Sequence, residues 1–97
     1  MADQLRWDAL GCNDNHLVET PHIDRLAASG VSCSAAYTPD PICVPARASL
    51  ITGCYPHRCT GIKSNGGALR DGFRTLPAEL GTAGYRTYAC GKLHYLP

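Results

Sequence analysis

The sequence predicts an α/β fold, and three observations carry that expectation. Residues 20–30 and 75–84 have helical apolar spacing with capping signals at their ends. Each is followed by a run that alternates side chain by side chain, at 31–38 and 85–91. Helix followed by strand, twice, is the pattern of helices laid on a sheet.

The elements follow in order. "TPHIDRLAASG" starts with Thr20 as N-cap and Pro21 at the first helical position, and stops at Gly30. Ile23, Leu26 and Ala27 share one face. "VSCSAAYT" alternates Val31, Cys33, Ala35 and Tyr37 with small polar residues. "PDPICVP", 39–45, holds three prolines and predicts an extended loop, with Pro41 and Pro45 keeping Cys43 out of helix. "ARASLI" predicts a helix with Pro45 near its first turn and Gly53 beyond its end. Residues 54–72 are turn-rich. "TLPAELGTAG" predicts a helix capped by Thr75, with Leu76, Leu80 and Ala83 facing one way.

Composition narrows the function classes. The chain of 97 residues allows one domain at most, and its 44% hydrophobic content is ordinary for a globular protein. Nine basic against eight acidic side chains, with no basic stripe, argue against nucleic acid as partner. No apolar run reaches the length of a membrane span. The opening "MADQLRWDAL" has Asp3 and no apolar stretch, unlike a signal peptide.

The cysteines at 12, 33, 43, 54, 59 and 90 are even in number but irregular in spacing, which disfavours a disulfide framework. Only Cys54, His57 and Cys59 cluster, and no second pair completes a zinc site. Most are expected to be small core residues. A disulfide or zinc module stays an alternative, to be settled by thiol counting and metal analysis.

The stretch with chemistry in it is "CVPARASLITG", 43–53. A helix starting after Cys43 points N–H groups and its positive dipole end toward that residue. Arg47 lies one turn on, with a planar fork suited to an oxyanion. The pattern predicts a nucleophile in an anion-binding cup, with phosphate or sulfate esters as substrates. The plain alternative is a buried cysteine and a solvated arginine. Asp8, His16, His22 and His57 are expected to be structural or surface residues.

Cys-x-Pro-x-Arg followed by Thr-Gly resembles the signature of the type I, formylglycine-dependent sulfatases of the alkaline-phosphatase-like superfamily. Other segments match in order: "ADQLRWDALGC" the first metal-binding segment, "TPHIDRLAASGVSCSAAYT" the unit leading to the signature, "TGCYPHR" the turn after it, and "GYRTYACGKLH" the Gly-Lys-x-His segment. The resemblance implies a mixed sheet flanked by helices, of which residues 1–97 are the N-terminal portion. The other metal ligands would lie farther along a full-length chain, so the isolated 97 residues are expected to be inactive.

By resemblance, Cys43 is converted to formylglycine by a formylglycine-generating enzyme or an anaerobic sulfatase maturase. One hydroxyl of its hydrate attacks the sulfur of a sulfate monoester, and the other then expels sulfate. Arg47 stabilises that site, Lys92 binds sulfate oxygens, and His94 contacts substrate or protonates the leaving oxygen. Asp3 ligates calcium or another divalent cation, together with modified Cys43 and the carbonyl of Gln4, where many members have a second Asp. Asn65 resembles a substrate-contacting residue. The same signature occurs in phosphonate monoester and phosphodiester hydrolases, and a non-catalytic remnant would also keep it.

Overall fold

A computed structural model describes residues 1–94, which form two compact units, Met1–Ala36 and a second beginning at Tyr37.

The first unit has two 3₁₀ turns, Trp7–Ala9 and Gly11–Asn13, and helix α1, Pro21–Ser29. Asp14 closes the second turn in a left-handed conformation, φ 65°, which a short polar side chain tolerates. Thr20 is the N-cap of α1, as predicted, but its hydroxyl does not cap a helix N–H. Thr20 Oγ1 accepts from Gly11 N and donates to Asp24 Oδ1, both at 2.8 Å. Asp24 Oδ1 also accepts from Cys12 N at 2.8 Å. The turn is thus tied to α1 through polar groups. A Cβ at Gly11 would lie 2.6 Å from Asp24 Oδ2, so a larger residue there would displace the carboxylate that holds the turn.

The predicted apolar face of α1 is not buried. Ile23 is 43% and Leu26 71% exposed, and only Ala27 of that face is half-buried. Periodicity identifies which residues share a face; burial needs a second surface against it.

Partial desolvation raises the exposed Cys12 thiol above its ordinary range, with the Asp24 carboxylate adding to the rise. The thiolate is the reactive form. Asp24→Asn keeps the acceptor oxygen and removes the charge. It is expected to speed alkylation of Cys12 about twofold at about pH 8, read by mass spectrometry. Equal rates in the two folded chains would refute the assignment.

The second unit is built on α2, Cys43–Thr52, with a short π turn, Pro56–Thr60, and α3, Leu76–Thr82. Gly53 ends α2 at φ 68° and donates its N–H to Ser49 O at 2.8 Å, the left-handed stop for which glycine is the favoured residue. Val44 and Ala48, one turn apart, are 1% and 0% exposed and pack with Ile62, flanked by Leu69. Pro45, Arg47 and Ser49 are also buried. Ser49 Oγ donates to Pro45 O at 3.0 Å and Thr52 Oγ1 to Ala48 O at 2.7 Å. Those bonds satisfy both hydroxyls within the helix. Thr75 caps α3 as predicted, its Oγ1 accepting from Ala78 N. Of that helix's predicted face, Leu80 is half-buried while Leu76 and Ala83 are exposed.

The expected sheet is not formed by the described residues: 31–38 and 85–91 contain no strand. Val31, Tyr37 and Tyr88 are 92%, 91% and 86% exposed. Alternation prepares a segment for pairing, but a strand exists only where a neighbour takes its N–H and C=O groups. The extended loop of 39–45 is also shorter than predicted, because α2 begins at Cys43.

The cysteines are not mainly core residues. Among the described residues, Cys12, Cys33 and Cys90 are exposed, and Cys43 and Cys54 are half-buried. No described helix is long and apolar enough to cross a membrane.

Candidate active site

Cys43 is the first residue of α2, inside the helix rather than before it. Prolines constrain φ to values that a helix's first turn accepts, so Pro45 is compatible with a start two residues earlier. Ile42 is the N-cap, extended at φ −95° and ψ 141°, and makes no side-chain cap bond. Asp40 steadies the approach, its Oδ1 accepting from Ile42 N at 2.8 Å.

Two N–H groups at the start of α2 are bonded within the chain. Val44 N donates to Asn65 Oδ1 at 3.1 Å, Ala46 N donates to Ile42 O at 3.0 Å, and Pro45 has no N–H. The Val44 and Ala46 N–H groups of the expected anion cup are therefore already bonded within the chain. Charge near Cys43 comes from side chains.

Lys92 supplies that charge. Its Nζ lies 3.7 Å from Cys43 Sγ, joining residues 49 positions apart. Arg47, only 7% exposed, donates from Nη1 to the carbonyl oxygen of Lys92. The buried guanidinium thus holds the backbone of the residue whose ammonium faces Cys43. His94, two residues on, is half-buried in a left-handed conformation, φ 58°. Its Nδ1 is buried with no hydrogen-bond partner among the described residues.

Cys43, Arg47 and Lys92 are therefore joined by direct contacts in the second unit, and Asn65 bonds the same helix at Val44. Asp3 and Gln4 are exposed residues of the first unit, and Gln4 is left-handed at φ 53°. The described residues contain no group of three or more His, Cys, Asp or Glu that could hold a metal ion. One carboxylate and one amide carbonyl fall short of the roughly six to eight oxygens that calcium takes. These residues alone do not fit the ion. Position 43 does fit a formylglycine precursor: its side chain is half-buried, heads a helix and lies beside an ammonium group.

Sequence reasoning missed the cap formed by Asn65 and the grip of Arg47 on Lys92. One signal was present for the first. Isoleucine at an N-cap cannot satisfy a first-turn N–H, so another residue had to do so.

Comparison with known proteins places this geometry. A family profile described as Sulfatase matches residues 1–97. The chain is 37% identical over 97 residues to an arylsulfatase of Clostridium perfringens, covering 100% of this chain and 20% of that protein. It is 39% identical to the steryl-sulfatase of Rattus norvegicus, over 97% of this chain and 18% of that protein. An N-acetylglucosamine-6-O-sulfatase of Bacteroides thetaiotaomicron is 31% identical over 99% of this chain and 17% of its own length. The chain thus spans about a fifth of the length of these curated relatives. No solved structure is a significant match. With its whole length matched by the family profile, the chain belongs to the sulfatase family.

Proposed function

We propose that residues 1–97 are the N-terminal portion of the catalytic domain of a sulfuric ester hydrolase of α/β, alkaline-phosphatase-like fold with a mixed sheet. The observation that carries this reading is the approach of Lys92 Nζ to Cys43 Sγ. It joins the Cys-x-Pro-x-Arg signature to the Gly-Lys-x-His segment. The relatives are named for aryl, steryl and amino-sugar sulfates, so sulfate monoesters are the proposed substrate class. No feature of the described residues favours phosphonate monoesters or phosphodiesters.

Once converted by a formylglycine-generating enzyme or an anaerobic maturase, position 43 supplies a hydrated aldehyde, an oxygen nucleophile that can later release sulfate. The remaining work falls to unmodified side chains. Lys92 offsets the charge of the sulfate oxygens at residue 43. Arg47 fixes the backbone of Lys92, so that the ammonium is oriented before substrate arrives. His94 Nδ1, with no protein partner among the described residues, is the group proposed to exchange a proton with the ester's alcohol oxygen. Asp3 and Gln4 are proposed to contribute oxygens to a divalent-cation site that other residues of a longer protein would complete.

The test is mass spectrometry of the tryptic peptide 26–47 after expression with a formylglycine-generating enzyme or maturase. The expected result is a residue at 43 lighter than cysteine and reactive toward a hydrazide. Unmodified Cys43 from such a host would overturn the reading.

A further inference from the structure

We propose that Asn65 is a positioning residue for residue 43, acting as the missing N-cap of α2 from a turn more than twenty residues away. The inference rests on the proposed function only for the role of residue 43. Ile42 occupies the N-cap without a capping side chain. Asn65 Oδ1 accepts the hydrogen bond from Val44 N at 3.1 Å, which is the bond a Ser, Asp or Asn at position 42 would otherwise make.

The turn that carries Asn65 is itself fixed to α2. Ile62, 3% exposed, packs with Val44 and Ala48. Gly67 N donates to Ser64 O at 3.1 Å and closes the turn around Asn65. A Cβ at Gly67 would lie 2.7 Å from Ile62 Cγ2. Core packing therefore sets the turn, the turn sets Asn65, and Asn65 holds the first turn of the helix that begins with Cys43. On this reading Asn65 reaches the reaction through Val44, and its carbonyl oxygen is not a substrate contact.

The experiment uses the unmodified 97-residue chain. A through-hydrogen-bond NMR coupling between the Val44 amide nitrogen and Asn65 Cγ is expected, and is expected to persist when inorganic sulfate is added. Its absence, or its loss on adding sulfate, overturns the proposal. In Asn65→Ala the Val44 amide should exchange about tenfold faster while the Ala48 amide changes less than about twofold. Alkylation of Cys43 should change at least about threefold, with that of Cys54 unaltered. Asn65→Asp, which keeps an acceptor oxygen, should restore both. Unchanged Val44 exchange in Asn65→Ala, or an equal loss at Val44 and Ala48, overturns the positioning role. The direct coupling in the unsubstituted chain decides the matter if the alanine variant fails to fold. Failure of Cys43 to mature would remove the sulfatase reading and leave this coupling in place, so the two failures are distinguishable.

Discussion

Arg47→Met is expected to destabilise the second unit by about 2–3 kcal/mol, the scale of a lost charge-assisted hydrogen bond. Arg47 is 7% exposed, so its long stem is packed as well as its charge bonded. Methionine keeps much of the stem and removes the guanidinium that donates to Lys92 O. The change therefore isolates the polar part of the interaction. Arg47→Lys should recover little, because a single ammonium cannot reproduce a planar fork held in place by its surroundings. Urea denaturation gives the measurement, through a lower midpoint at unchanged slope. A second readout separates function from stability. With Lys92 no longer held, the Lys92–Cys43 approach should loosen, and the alkylation rate of Cys43 should change more than that of Cys54. A midpoint within about 0.5 kcal/mol of the parent would show that the buried guanidinium contributes little.

Gly67→Ala is the second large effect, expected at about 1–3 kcal/mol from overpacking. The new methyl would meet Ile62 Cγ2 at 2.7 Å and Ser64 O at 3.3 Å. Neither can retreat easily, since Ile62 is a branched side chain in the core and Ser64 O is backbone. Gly53→Ala is the contrast. There a Cβ meets nothing within 4 Å, and the cost is only that of φ 68° for a residue with a side chain, about 1–2 kcal/mol. The two variants also differ in reach. Gly67→Ala should release the Val44 amide by moving Asn65, whereas Gly53→Ala should leave it protected. Amide exchange at Val44 in both chains provides the comparison, and equal protection would count against the coupling of the turn to α2.

The helices were legible from the sequence because their signals are local. Pro21 and Gly30 bound α1, Gly53 ends α2, and Thr75 caps α3. Each depends on a few adjacent residues and on backbone geometry alone. The start of α2 was less legible. Three prolines argue for extended chain, yet Pro45 sits within a first turn that begins at Cys43. The apolar faces of α1 and α3 were legible as faces but not as buried faces, since Ile23, Leu26 and Leu76 remain largely exposed. The strands fail for the same kind of reason. Their alternation is local, but pairing requires another segment alongside.

The sequence by itself determined the family, through Cys43, Pro45 and Arg47 at fixed spacing and the distant Lys92 and His94. It also determined the three helices, whose stop and start signals lie within a turn or two of the residues they govern. Only the tertiary structure decided what those site residues touch. Lys92 meets Cys43 across 49 positions, Arg47 donates to the Lys92 carbonyl, and Asn65 caps α2. Such contacts arise because polar groups pair wherever the packed chain brings them together, the buried Arg47 above all, and no local pattern specifies which partner that will be.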